Sequence, residues 1–349
     1  MQRAHADTSD TGSRPSPGGR RSARLLARLV LVGVSTVGTL LALEGGARLY
    51  ATATNQVRGM TFDPELGWKP RPHVTKFDSV WGATRPARTN SRGWRDGERT
   101  YAKPAGTRRA VALGDSFTFG TDADDGERFT DLLPALAGLE VVNLGVAGYG
   151  TDQELRVLEI EGLRYDPDIV ILTVCVFNDL SDIRHERLYS WPKPYYTLEQ
   201  GELRLSRPKL TLGMRARTSS YLVEYLFQRL LNNNLTPTAA IRTPVDADVL
   251  FDALVRRIAS ISTSHGARLI GVLAYPPPRF GPRFATIGQQ MAASLETAGV
   301  PTLDTRQLFD EHGLVEDKAY WPSGVHWTAE GHRIVAAGVA RLLADAGVK

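Results

Sequence analysis

The 349 residues are 42% hydrophobic and 23% charged, an ordinary globular balance that supports one large domain with additions and excludes wholesale disorder. The formal net charge is +4, and Arg3, Arg14, Arg20, Arg21, Arg24 and Arg28 against Asp7 and Asp10 account for all of it, six minus two. The rest of the chain is neutral, which argues against a nucleic-acid surface on the folded part. The single cysteine, Cys175, excludes an intramolecular disulfide and a cysteine-rich zinc site. Within the apolar run 169–176 it reads as a small core hydrophobe.

Residues 1–23 are rich in Ser, Gly, Pro and Arg, and are expected to form a disordered, basic cytoplasmic tail. Leu25 to Leu43 is apolar apart from Arg28 and small or hydroxyl residues, close to the ~20 residues that span a bilayer's hydrocarbon. Residues 24–50 are therefore expected to be a transmembrane anchor. The preceding arginines keep the N-terminus in the cytoplasm and place the remainder outside. A signal peptide cleaved near Ala51-Thr52-Ala53 competes with this reading, but Glu44 and Arg48 interrupt the approach to that site and favour the uncleaved anchor. Residues 51–107, with many Gly, Pro and Arg, suggest an extended segment packed on the domain. Its Trp68 and Trp94 read as anchors of that segment to the core, with a sugar-binding role as the sharper alternative.

From Arg109 onward the chain alternates candidate strands (109–113, 140–144, 169–176, 268–274, 302–304) with helical patterns (about 127–137, 151–163, 247–264, 283–298 and 328–345). Continuous apolar strands alternating with helices predict a parallel α/β sheet covered on both faces, with ligands outside the carboxyl ends of its strands. A long connection, 180–245, carries a hairpin pattern about Glu199-Gln200-Gly201-Glu202 and an amphipathic stretch from Ser219 to Leu231. It is expected to be a partial cap that helps choose the substrate.

The segment Gly114-Asp115-Ser116-Phe117-Thr118-Phe119-Gly120 directly follows the first of these strands and puts Ser116, the candidate nucleophile, at a strand-to-helix turn. Gly148 follows the second strand and Asn178 the third, so three distant segments meet at one sheet edge. Gly324-Val325-His326-Trp327 precedes the last helix. In this order the four segments resemble the blocks of the SGNH, or GDSL, hydrolases, over roughly Arg108 to the C-terminus. The resemblance implies a three-layer, flavodoxin-like domain at 108–349 with a central five-stranded parallel sheet. It also implies catalysis by Ser116 and His326, with an oxyanion hole from the Ser116 and Gly148 N–H groups and the Asn178 amide.

Two positions depart from the family pattern. Val176 stands where a glycine is common. More seriously, the aspartate expected two or three residues before the histidine is replaced by Gly324 and Ser323. This predicts a Ser116–His326 dyad whose imidazole is oriented by a backbone carbonyl, by Ser323 or by an acid from elsewhere in the chain such as Asp317. Asp115 and Asp179 read as turn-stabilising side chains and His332 as structural. Neither a metal nor a nucleotide cofactor is expected, since histidines are not clustered and Gly145, Gly148 and Gly150 miss the dinucleotide spacing.

The resulting expectation is a membrane-anchored serine esterase acting outside the cytoplasm. Its partners would be an acylated small molecule or polysaccharide and, through the N-terminal helix, the membrane. Location points to O-acyl groups, acetyl above all, on a cell-envelope carbohydrate. O-acetyl transfer to an envelope polysaccharide would use the same serine ester. A noncatalytic glycan-binding or assembly protein on the same fold is motivated by the missing aspartate.

Overall fold

The computed structural model describes residues 17–53, 59–78, 84–189, 191–208, 210–231, 239–240, 246–322 and 324–347. Helix α1 (Pro17–Ala53) comes first. Residues 17–23, expected in the disordered tail, are thus helical, and the rest of that expected tail, residues 1–16, lies outside the described residues. Proline suits a first helical position, and Ala and Arg extend a helix once the apolar run has nucleated it. Within α1, the span Arg24–Tyr50 holds an 18-residue window of mean hydropathy 2.0 that is wholly exposed, the length and composition needed to cross a membrane.

A layer of short strands follows. Strands β1 (Met60–Asp63) and β2 (Gly67–Pro70) form one antiparallel hairpin, and β3 (Lys76–Asp78) and β4 (Thr84–Pro86) form another. The domain proper then runs β5 (Arg109–Leu113), α2 (Ser116–Phe119), α3 (Phe129–Ala137), β6 (Glu140–Asn143), α4 (Thr151–Ile160), β7 (Ile169–Cys175) and α5 (Asp179–Asp182). The long connection holds β8 (His185–Leu188), β9 (Trp191–Pro192), β10 (Tyr195–Glu199), β11 (Glu202–Ser206), α6 (Leu212–Ser219), α7 (Tyr221–Leu231) and β12 (Ala239–Ala240). The chain finishes with α8 (Ala247–Ser264), β13 (Arg268–Ala274), α9 (Arg283–Thr297), β14 (Thr302–Asp304), α10 (Thr305–Glu311), α11 (Glu316–Ala319) and α12 (Ala329–Asp345).

Five strands form one parallel sheet in the order β14-β13-β7-β5-β6, the doubly wound, flavodoxin-like order. The period of two along each strand divides its side chains between the faces. Val111 and Leu113 of β5, with Val170, Leu172 and Val174 of β7, pack on α4, α8 and α9. Ala110, Ala112, Ile169 and Ile171 face α3, α10 and α12. Because β6 and β7 lie on opposite sides of β5, the topology switches beside the carboxyl end of β5, where such sheets open a crevice.

In the long connection, the β10–β11 hairpin turns at Gln200 and Gly201, both at positive φ (54° and 84°), as a tight two-residue hairpin turn requires. Its Tyr196 hydroxyl donates to Glu159 of α4 at 3.0 Å. Helix α7 meets the far end of α1. The Glu44 carboxylate accepts from the Ser220 hydroxyl (2.7 Å) and from the backbone N–H groups of Tyr221 and Leu222 (3.0 Å each). These are unsatisfied donors of a helix start, and a carboxylate there also complements the helix dipole.

Candidate active site

The turn after β5 is built by residue types that tolerate it. Gly114 lies at φ 153°, and a Cβ there would come within 2.2 Å of the Thr118 hydroxyl. Asp115 accepts from the Phe117 N–H at 2.9 Å and caps α2, which places Ser116 at the first helical position, half-buried. Gly120 ends α2 at φ 76° by returning its N–H to the Ser116 carbonyl at 3.0 Å. Asn143, at the end of β6, ties this turn to the next block. It donates to the Thr118 carbonyl (2.7 Å) and accepts from Gly145 N–H (2.9 Å).

His326 lies on the segment between α11 and α12, held by an isolated β-bridge between Tyr320 and Trp327. Trp327 is fully buried, its ring 4.6 Å from that of Phe117, so the residue beside the histidine anchors it. Arg279 adds a clamp, donating to the carbonyls of Trp321 (2.8 Å) and Gly324. The His326 Nε2 is 2.9 Å from Ser116 Oγ, and its Nδ1 is 2.8 Å from Asp122 Oδ2. An ionised carboxylate only accepts, so Nδ1 carries the proton and Nε2 keeps a lone pair for the serine hydroxyl.

The expected dyad is therefore corrected. The carboxylate missing from the histidine segment comes from Asp122, just beyond Gly120, and the histidine side chain (4% exposed) and the aspartate side chain (9%) are both shielded from solvent. Asp317 is not the orienting group, because both ring nitrogens of His326 are engaged by Ser116 and Asp122. Ser323 lies outside the described residues. Asp122 sits at φ 68°, a left-handed conformation that Asp tolerates better than most side chains.

Gly148 lies on the turn after β6 at φ 81°, and a Cβ there would fall 2.4 Å from the Tyr189 ring. Tyr189, from the long connection, thus lies directly against this turn, with its ring edge-on to Trp68. The Trp68 indole N–H in turn donates to the Ala147 carbonyl at 3.1 Å. Asn178, after β7, donates from Nδ2 to Asp182 Oδ2 at 2.6 Å. Asp179 accepts from the Cys175 N–H (2.9 Å) and the Thr151 hydroxyl (3.2 Å), holding the turn.

Residues from the N-terminal layer, expected to pack on the domain or to line a sugar site, shape the acid loop. Arg95 is 1% exposed. Its guanidinium donates to the carbonyls of Phe119 (3.1 Å), Gly120 and Ala123 (2.7 Å) and to Asp125 (3.1 Å), bracketing Asp122 on both sides. Burial, with Arg128 nearby, lowers its pKa to about 10. It is still fully charged at neutral pH. The adjacent Trp94 is buried and its indole N–H meets Glu161 at 3.3 Å.

Behind the site lies a buried acidic group. Lys193 and Asp152 form an ion pair with both side chains fully buried. Burial raises Asp182 to about 7 against the opposing pull of Lys193 and of its bond from Asn178. Burial also pushes the Asp115, Glu154 and Asp179 carboxyls upward. Among the described residues no group of three or more His, Cys, Asp or Glu is placed to hold a metal ion. A surface groove of about 530 Å³ between the β10–β11 hairpin and α8 is lined by none of the residues around Ser116.

A serine, a histidine and an aspartate in hydrogen-bonded series at the carboxyl edge of a flavodoxin-like sheet define an SGNH-type α/β hydrolase architecture. The chain belongs to the GDSL-like Lipase/Acylhydrolase family, whose profile matches residues 112–334. Among solved structures, similarity extends to an α/β hydrolase enzyme from the metagenome of Lake Arreo, Spain (14% identity, 70% of this chain and 97% of that one, TM-score 0.42). The lipase/acylhydrolase from Enterococcus faecalis is also similar (15%, 69% and 97%, TM-score 0.40). So is a two-domain esterase active on acetylated mannans, co-crystallized with mannopentaose (12%, 70% and 50%, TM-score 0.43). Curated proteins give no match.

Proposed function

We propose that this family member is a serine ester hydrolase that removes O-acyl groups, chiefly acetyl, from a cell-envelope carbohydrate. The observation that carries the reading is the series Ser116 Oγ, His326 Nε2 (2.9 Å), His326 Nδ1, Asp122 Oδ2 (2.8 Å). In this mechanism Ser116 Oγ attacks the ester carbonyl as its proton passes to His326 Nε2, and Asp122 stabilises the resulting imidazolium. The Ser116 and Gly148 N–H groups and the Asn178 Nδ2 receive the oxyanion. As the acyl C–O bond to the sugar breaks, His326 protonates the departing sugar oxygen, which leaves as a hydroxyl; a water activated by the same imidazole then attacks the acyl-serine, releases the acid and restores Ser116. With Asp122 on the imidazole, the motive for a noncatalytic role falls away.

The choice of an envelope substrate rests on α1. Its apolar span, the arginines before it and the seating of Glu44 on the start of α7 support a retained anchor with the catalytic domain outside the cytoplasm. The test is hydrolysis of p-nitrophenyl acetate and release of acetate from an O-acetylated glycan by the detergent-extracted full chain, beside Ser116→Ala and His326→Ala. Both variants are expected to lose on the order of 10³-fold or more in kcat on either substrate. A folded wild-type protein no faster than Ser116→Ala on both would overturn the reading.

A further inference from the structure

A side-chain amide can serve an oxyanion hole only if its nitrogen faces the substrate. The two ends of an asparagine amide are nearly the same size, so its neighbours decide which end points where. Asn178 takes its orientation from one turn along the same short helix, where Asp182 Oδ2 accepts from Nδ2 at 2.6 Å. The Asn178 Oδ1 is buried and has no hydrogen-bond partner in the structure. Leaving a buried acceptor unpaired costs about 1–3 kcal/mol. The orientation is therefore set at the nitrogen end, by the bond to the carboxylate.

Asp182 is itself held firmly. It is 6% exposed, its N–H donates to the Asn178 carbonyl at 2.8 Å, and its Cβ lies against the Gly150 turn. Burial raises its pKa to about 7, opposed by the buried Lys193 ammonium, which is paired with Asp152, and by the Asn178 bond, so it is mostly ionised above neutral pH. An ionised carboxylate accepts and cannot donate, so it takes Nδ2 and rejects Oδ1. An Nδ2 group has two hydrogens, and Asp182 uses one.

We propose that Asp182 is a positioning residue for ester hydrolysis: it holds the Asn178 amide with one Nδ2 hydrogen, presenting the other to the oxyanion formed on attack by Ser116 and keeping the repelling Oδ1 turned away. The inference rests on the reading of Asn178 as an oxyanion donor and adds the group that makes it one. Asp182 touches no reacting atom and acts through Asn178.

The test is a double-mutant cycle in the full chain, with p-nitrophenyl acetate as substrate and thermal melting of each variant as the check on folding. Asn178→Ala is expected to lose on the order of 10²-fold in kcat. Asp182→Ala should lose about 10-fold or more in kcat with KM within about threefold, and the double variant should be no slower than Asn178→Ala alone. The isosteric Asp182→Asn, which keeps the packing if Asp182→Ala does not fold, should also lose kcat at unchanged KM and add nothing to Asn178→Ala. The proposal is overturned if the Asp182 variants keep wild-type kcat, if their loss lies in KM, or if the double variant shows the product of the single losses. If Ser116→Ala abolishes activity while Asn178→Ala does not, the oxyanion reading of Asn178 fails and this inference with it. If Asn178→Ala loses kcat and both Asp182 variants do not, this inference alone fails.

Discussion

Asp122 and Gly148 occupy backbone conformations that L side chains rarely adopt, at φ 68° and 81°, and both line the site. For Gly148 the reason is steric as well, since a Cβ would run into the Tyr189 ring at 2.4 Å. Gly148→Ala is expected to cost about 1–3 kcal/mol in stability and to displace the backbone N–H assigned to the oxyanion. A lower melting temperature together with a lower kcat would bear this out, and an unchanged kcat would remove Gly148 from the hole. Asp122 was not legible in the sequence. It is one of three aspartates within 122–125, nothing in local composition separates it from its neighbours, and its partner His326 lies 204 residues away. Reading outward from the histidine led to Asp317 and Ser323, because a sequence pattern reports adjacency along the chain whereas a hydrogen bond requires adjacency in space. The placing of Ser116, Gly148 and Asn178 beyond the carboxyl ends of β5, β6 and β7 could be read from the strands that precede them, since a parallel sheet brings such positions to one edge.

At the scale of elements, the layer before β5 does more than cover the core. Arg95 bonds three carbonyls of the loop that carries Asp122, and Trp68 bonds the turn that carries Gly148. Arg95→Ala would leave those carbonyls and Asp125 without their donor, and is expected to destabilise the protein by about 3 kcal/mol or more in urea unfolding. The burial of both tryptophans matches their reading as anchors, but the loop-holding role of Arg95 depends on contacts that no periodicity encodes. Helix α12 carries a second consequence. His332 is fully enclosed, with Nδ1 accepting from the Phe129 N–H at 3.3 Å, and burial, with Arg128 and His326 nearby, lowers its pKa from 6.5 to about 3. Between these values the unfolded chain binds a proton that the folded chain refuses, so stability falls as pH is lowered from 6.5. The loss is about 2 kcal/mol by pH 5. Buried carboxyls such as Asp182, raised to about 7, shift stability the other way over this range, so the measurement is the difference between wild type and His332→Gln: on going from pH 7 to pH 5 in urea unfolding the wild type should lose about 2 kcal/mol more than the variant.

At the scale of the whole molecule, the central sheet was legible almost to the residue. Buried parallel strands are mostly apolar runs bounded by turns, and β5, β13 and β14 have the bounds read for them in the sequence. The hairpin and amphipathic helix of the long connection were visible for the same reason of period. The docking of α7 on α1 was not, since it turns on Glu44, a charge that read only as an interruption of the apolar segment. That contact makes α1 part of the folded protein, and the retained-anchor reading predicts that mass spectrometry of the protein from native membranes finds peptides from the α1 region still attached. A mature N-terminus near Ala53 would contradict it.

Ester hydrolysis by this chain depends on Asp122 completing the series through His326 to Ser116. The direct measurement is kcat for p-nitrophenyl acetate by the full chain carrying Asp122→Asn, beside Asp317→Asn and the wild type, with melting temperatures for all three. The account predicts a loss on the order of 10⁴-fold in kcat for Asp122→Asn at nearly unchanged KM, and wild-type turnover for Asp317→Asn. A folded Asp122→Asn protein within about tenfold of wild type would contradict it, because the histidine would then work without the carboxylate that holds it.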